Sequence, residues 1–137
     1  MKLTECVDEM HTAELLSLCI GFPTQSKVQL VLTLYQVDSA RKLFCCQLDG
    51  TSVGCIGVEI EQDEGVLKHI AVAPHCQRKG IGRFMVDAVF SRLNLSRLRA
   101  ETDKDAVGFY VQCGFIVTSL GEAHPNTERF KCVLSAS

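Results

Sequence analysis

The most regular hydrophobic pattern in the chain is the stripe Ile81, Phe84, Met85, Ala88, Val89 and Leu93, spaced by three and four, with Arg83, Asp87 and Arg92 off it. That period predicts an amphipathic helix lying on a sheet. Upstream, short apolar runs over residues 43–48, 53–61 and 66–73 predict three antiparallel strands, the first starting near Lys42. Asp49-Gly50 marks a hairpin between the first two, and Asp63-Glu64-Gly65 a turn before the third. Ahead of them, residues 2–7 alternate as a short strand. Asp8 is placed to cap a helix with Met10, Leu15, Leu18 and Cys19 inward, ending at Gly21 before Pro23. Ser26 and Gln29 form a capping-box pattern for a second helix, whose Val28, Val31, Leu32 and Tyr35 share a face. Beyond the stripe come a strand over 98–101, a helix over 104–113 closed by Gly114, and strands over 116–120 and 128–134 around the loop GEAHPNTE. Strands first, then alternating helices and strands, predict an α/β chain of the mixed α+β kind, its sheet covered by helices.

Between the third strand and the stripe helix lies QRKGIG, Gln77 to Gly82. Its glycines let the main chain approach a ligand, and the helix start aims free N–H groups at it. From residue 65 to 86 there is no Asp or Glu, while Lys68, Arg78, Lys79 and Arg83 all fall inside a chain of net charge −2. The expected ligand is polyanionic, with phosphate groups at the loop. A Walker loop is excluded, because Gly82 is followed by Arg83 and Phe84 rather than by Lys and Ser or Thr. A dinucleotide fingerprint is excluded too, since its third small residue would fall on Met85.

Length and composition narrow the class further. A chain of 137 residues, 47% hydrophobic and without repeats or low-complexity tracts, predicts one domain over 1–137. No run approaches the roughly 20 apolar residues of a membrane span, and Glu5, Asp8 and Glu9 interrupt any leader-like stretch, so a cytoplasmic protein with no membrane partner is expected. The slightly negative net charge argues against general nucleic-acid binding. Eight cysteines (Cys6, Cys19, Cys45, Cys46, Cys55, Cys76, Cys113, Cys132) form no C-x-x-C pair and have no His at zinc spacing, so structural thiols are expected rather than a metal site. Cys76 sits beside the basic loop, where positive charge favours a thiolate, but nothing in the pattern calls for a nucleophile there.

The spacing Gln, two residues, Gly, one residue, Gly, after a strand ending in Val72-Ala73-Pro74, resembles the acyl-CoA loop of the GNAT superfamily of N-acetyltransferases. The downstream block AETDKDAVGFYVQCGF, residues 100–115, is similar to that family's next strand, helix and turn, including its tyrosine, three residues, Gly-Phe at Tyr110, Gly114 and Phe115. The first half is similar only in the order of its elements. The resemblance implies a single GNAT-like domain with a mixed, mostly antiparallel central sheet, splayed in the middle and flanked by helices, and with pantetheine in the gap. It implies acetyl-CoA as cosubstrate, no metal, and an amine acceptor, small molecule or protein; a homodimer stays open. Cofactor contacts would come from the main chain of Ile70, Ala71 and Val72, from Gln77, Arg78, Lys79, Gly80, Ile81 and Gly82, from Asp103 where many relatives carry Asn, and from Tyr110. Arg78 and Lys79 have an alternative as solvated surface charges.

Attack on a thioester needs a neutral amine, whereas an alkyl ammonium has a pKa of about 10, so a carboxylate or a water chain must take a proton. Glu101, at the end of the strand beside the expected gap, leads the candidates, and Glu61 follows; where some relatives carry a Glu on the strand before the loop, this chain has Val66 and Lys68. The resemblance makes Tyr110 the acid that protonates the departing thiolate, with a main-chain N–H at Val72 for the oxyanion. On the stripe Ala106, Val107, Phe109, Tyr110, Cys113 the same tyrosine reads as core. Two other classes stay open: a non-catalytic acyl-CoA-binding regulatory or interaction module on the same fold, and an oligomeric protein whose loop holds a structural anion. The acceptor pocket is expected between the first two helices and the loop 121–128, whose Glu122, His124 and Glu128 suit a cationic amine.

Overall fold

The computed structural model describes residues 1–6, 9–122 and 124–136. Along the chain these form β1 (Lys2–Glu5), α1 (Glu9–Ser17), α2 (Gln25–Val37), β2 (Arg41–Leu48), β3 (Thr51–Glu61), β4 (Glu64–Val72), α3 (Ile81–Arg92), β5 (Arg97–Asp103), α4 (Val107–Gln112), β6 (Ile116–Glu122) and β7 (Glu128–Ser135). Among the described residues the strands make one sheet in the order β1-β2-β3-β4-β5-β7-β6. All neighbours are antiparallel except β4 and β5, which α3 joins as a crossover.

Period-two alternation on β3 sorts the helices to the two faces. An added Cβ at Gly54 would meet Met85 of α3, whereas one at Gly57, an odd number of residues away, would meet Tyr35 of α2. The core follows on both faces: Ile56, Val58, Met85, Val86, Val89 and Leu98 are fully buried. Burial of each such side chain contributes roughly 1.5–3 kcal/mol. The stripe read from the sequence is thus the face that α3 turns to the sheet.

Two irregularities open the middle of the sheet. Pairing of β3 with β4 shifts between Gly57, opposite His69, and Val58, opposite Leu67, so Lys68 is an extra residue in a bulge. A bulge bends its strand and adds twist. On its other side β4 pairs with β5 only through Glu64, Gly65 and Val66, opposite Arg97, Leu98 and Arg99. Beyond Val66 the strands part, and β5 keeps β7 as its partner from Arg97 to Asp103. This is the splay the family resemblance implied.

Several local expectations are corrected. In α1, Thr12, Leu15 and Leu16 face inward while Met10 and Leu18 are exposed, because Met10 stands about 200° around the helix from Thr12. Asp8, its expected cap, lies outside the described residues. Helix α1 stops at Ser17, and α2 is capped not by Ser26 but by Thr24, whose hydroxyl accepts from Lys27 N–H at 3.1 Å. The β3–β4 turn sits at Gln62 and Asp63, with Gln62 at φ +59°, two residues earlier than the glycine suggested. Helix α4 starts at Val107 because the Asp103 carboxylate first holds the N–H groups of Asp105 and Ala106 in a turn, at 3.1 and 3.0 Å. Asp49 and Gly50 make the expected hairpin, both at positive φ, and Gly114 ends α4 at φ +91°. Finally, Cys6 and Cys45 are joined in a disulfide rather than both being free thiols; the β1–β2 ladder sets Thr4 opposite Cys45, and the two cysteine Cα atoms lie 5.4 Å apart. The other six thiols are free, and five of them are buried. Among the described residues no helix is long and apolar enough to cross a membrane.

Gly57 is where the α2 face is tightest, since an added Cβ there would collide with the hydroxyl and ring of Tyr35. Gly57→Ala is expected to lower the unfolding free energy by roughly 1–3 kcal/mol. In urea denaturation that loss should exceed the one for Gly21→Ala, where the new methyl meets nothing within 4 Å. Equal losses would mean that Tyr35 does not pack against β3.

Candidate active site

Parting β4 from β5 leaves main-chain groups without strand partners, and strand geometry says which. Ala73 N–H donates to Val53 O of β3 at 2.8 Å. Alternation then turns the N–H and C=O groups of Val72 and Ile70 the other way, into the gap. The Cys19 thiol, just past α1, is hydrogen-bonded to the main chain of Ile70 at the inner end of this gap; burial nevertheless pushes its pKa up to about 11. At the outer end, Gln77 Nε2 donates to Val72 O at 3.4 Å, tying the loop back to the strand.

The gap widens into a cavity of about 530 Å³ between β4, the loop, α3 and α4. Of the predicted cofactor residues, Ile70, Ala71, Val72, Gln77, Arg78, Gly80, Ile81, Gly82 and Tyr110 line it. Lys79 does not, and its place as the second cation is taken by Arg83. Arg83 was legible in the sequence as part of the acid-free basic stretch, but only the start of α3 at Ile81 turns its side chain to the cavity. No Asp or Glu joins this lining. A larger surface groove of about 690 Å³ between α1 and α2 carries Glu14 as its single charged residue and does not suit a polyanion.

The two loop glycines have different causes. Gly80, at φ +76°, is left-handed and open, so it sets the sharp entry into α3. Gly82 has ordinary helix geometry; an added Cβ would lie 2.7 Å from Phe109 Cε1, so it is small to admit the α4 ring. Phe109 and Phe115 in turn pack edge-on against Tyr110, at 5.1 and 5.2 Å between ring centres. Tyr110 is 6% exposed, and burial, helped by the neighbouring Cys132, Cys113 and Cys19 thiols, pushes the pKa of its phenol up to about 12. Its proton is therefore held at neutral pH.

The predicted carboxylates stand apart from the lining. Glu101 is exposed on β5, opposite Lys131, and by alternation it shares a face with Arg99, while Leu98, Ala100 and Thr102 are buried on the other. Glu61, at the far end of β3, is paired with Arg99 at 3.2 Å. The Asp103 carboxylate is engaged by the turn before α4. A residue the sequence did not single out, His69, lies on β4 at the bulge and meets Tyr35 Oη through Nδ1 at 2.7 Å. Its signal would have been a histidine three residues before Val72, but the contact to α2 is not visible in any spacing.

Residues 39–117 match the family profile described as the acetyltransferase (GNAT) domain. The chain belongs to this family. It is thus an acetyl-CoA-dependent acyltransferase, and its acceptors are amines. Solved structures share the fold over nearly the whole length. An aminoglycoside 6'-N-acetyltransferase complexed with coenzyme A is 14% identical, with 98% of this chain and 97% of that one covered and a TM-score of 0.81. An acetyltransferase from Thermus thermophilus is 19% identical, with coverage of 98% and 96% and a TM-score of 0.79. The ribosomal-protein-S18-alanine N-acetyltransferase from Escherichia coli is 18% identical, with coverage of 98% and 92% and a TM-score of 0.74. In this GNAT acetyltransferase the cavity is lined by β4 main chain, two arginines and the start of α3, a lining suited to a cosubstrate with an extended arm and phosphates.

If Arg78 and Arg83 meet those phosphates, Arg78→Glu with Arg83→Glu should weaken acetyl-CoA binding by about tenfold or more. Lys79→Glu, outside the lining, should cost clearly less. Calorimetry reads both, and equal losses would overturn the assignment of the two arginines.

Proposed function

We propose that this acetyltransferase moves the acetyl group of acetyl-CoA directly to a primary amine, with no covalent intermediate on the protein. The observation that carries the proposal is the Tyr110 phenol, buried, protonated and lining the cavity next to the exposed main chain of β4. In this mechanism the amine attacks the thioester carbon and the N–C bond forms. The oxyanion is held by the main-chain N–H of Val72. Collapse breaks the C–S bond, and Tyr110 supplies a proton to the leaving thiolate. Its raised pKa suits that role, because a phenol that has lost its proton has none to give. The Asp103 carboxylate orders the entrance to α4, the helix that carries Tyr110 to the cavity lining.

Among the carboxylates, Glu101 is proposed to receive the amine proton through water; its exposed place on β5, on the strand that leaves β4, supports this. Glu61 is secondary, since Arg99 already engages it. The acceptor is proposed to enter from the side of α1, α2 and the β6–β7 loop. There Ser119 Oγ donates to Glu128 at 2.6 Å, while Glu122 is exposed. Six free thiols favour a reducing setting such as the cytoplasm, and the Cys6–Cys45 disulfide stands against it.

Release of CoA thiol during incubation of acetyl-CoA with a panel of primary amines tests the activity itself. Tyr110→Phe keeps the ring and removes the proton; turnover should fall on the order of 100-fold with acetyl-CoA affinity unchanged. Wild-type turnover, measured where chemistry limits the rate, would assign the tyrosine to packing alone.

Glu101→Gln should lower turnover at neutral pH and recover in part at alkaline pH, where more acceptor is already neutral. Glu61→Gln is the matched control and should stay near the parent. A flat response to both substitutions across the pH range would remove the carboxylates from the proton path.

A further inference from the structure

One half-buried polar group in the splayed region is left without a role by the steps above. His69 precedes Ile70, whose main chain faces the gap, and it lies where β4 leaves β5. It sits opposite Gly57 in the bulged pair, on the sheet face covered by α2, and register puts Glu101 on that same face of β5. Its Nδ1 is 2.7 Å from Tyr35 Oη, and the two rings meet edge-on at 5.6 Å. Tyr35 reaches it only because residue 57 has no side chain: any Cβ there would strike the hydroxyl. Arg41 stacks over the Tyr35 ring at 5.8 Å and pairs with Glu59 at 3.3 Å. Asp38 also pairs with Arg41, at 3.8 Å, so two carboxylates brace the guanidinium, whose Nε is buried without a well-formed hydrogen bond. A glycine, a tyrosine and a braced arginine converging on one imidazole build a held site rather than a surface histidine.

We propose that His69 is the first acceptor of the amine proton, with Nδ1–H donating to Tyr35 so that Nε2 offers its lone pair, and that Glu101 is the outlet that passes this proton to solvent. The inference rests on the amine-acetylation reading and deepens it. In the full step the amine nitrogen bonds to the acetyl carbon, and its proton passes to His69. The C–S bond breaks, and Tyr110 protonates the thiolate. The imidazolium returns its proton through water to Glu101, and solvent reprotonates Tyr110. Charge around the ring favours the neutral form that such a role needs. Burial first, then Arg41 and Lys68, lower the His69 pKa from the usual value. Burial also pushes the Tyr35 phenol up, so it stays a neutral partner, with the Cys19 and Cys55 thiols and Glu59 adding to that shift and Arg41 opposing it.

The sign of the pH effect follows. The acting form is neutral imidazole, so turnover is lost as the pH falls through a pKa held below 6.5, the usual value for histidine. Removing a nearby positive charge favours imidazolium and moves that loss to higher pH. The experiment is the pH profile of kcat/KM for a primary amine with acetyl-CoA, set beside an NMR titration of isotope-labelled His69 in the intact protein. His69→Gln should lower kcat by about 100-fold, abolish the acid limb and leave acetyl-CoA affinity at the parent value. Tyr35→Phe should lower kcat by about tenfold. Lys68→Gln, an exposed change, should raise the acid limb and the NMR pKa of His69 together. The proposal is overturned if His69→Gln keeps the parent rate and limb, if it loses rate with the limb intact, or if the limb of the parent does not coincide with the His69 titration. Turnover by the parent chain tests the acetyltransferase reading separately, so the two failures are distinguishable.

Discussion

The structure depends on a main-chain constraint in the middle of its sheet: every buried N–H and C=O must find a partner, and β4 beyond Val66 has none on its β5 side. Elsewhere the ladders are nearly complete, from β1 through β4 and from β5 through β6. An isolated defect of this kind costs stability unless something else makes the bonds. Here the extra residue at Lys68 bends β4 away, and the freed groups of Ile70 and Val72 line a cavity instead of facing β5. The fold thus holds open one strand edge inside a sheet, of the kind an extended ligand arm with amide groups is suited to complete.

Around that edge, charge and burial are separated by position. The mouth of the cavity carries Arg78 and Arg83 and no acid, so anionic phosphates are favoured there. Its wall also carries thiols and aromatic rings, Cys76, Cys113, Phe109 and Tyr110, and burial holds the proton of Tyr110. Acids on the other face are mostly neutralised within the protein, Glu59 by Arg41 and Glu61 by Arg99. The cavity thus offers positive charge at its mouth and neutral donors on its wall.

Small residues set this geometry as much as polar ones. Gly54 admits Met85, Gly57 admits the Tyr35 hydroxyl and Gly82 admits the Phe109 ring, so α3 and one phenol approach β3 closely and α4 approaches α3. Only Gly80 among the cofactor-loop glycines is needed for its backbone angle. Glycine in a strand interior ordinarily weakens it; on β3 two of them are kept because side chains from opposite faces of the sheet occupy the space.

Local information was enough for the elements and for the cofactor loop. The 3.6-residue stripe of α3, Asp49-Gly50, Gly114 and the acid-free run from 65 to 86 are properties of neighbours in sequence, and each reappears in the structure. Elsewhere the observed geometry differs from the local signal: α2 begins at Gln25, so Thr24 rather than Ser26 is its cap, and Thr12 and Leu16 rather than Met10 face inward from α1. The Cys6–Cys45 bridge, the exchange of Lys79 for Arg83 at the cavity, the engagement of Glu61 by Arg99 and the meeting of His69 with Tyr35 join residues far apart in the chain or turn a side chain by its place in a helix. Spacing along a chain carries period and turn chemistry but not distance across a sheet. The sequence by itself determined which elements form and where the acid-free basic loop lies; only the tertiary structure, through register, a bulge and packing across both faces, decided which side chains surround the cavity.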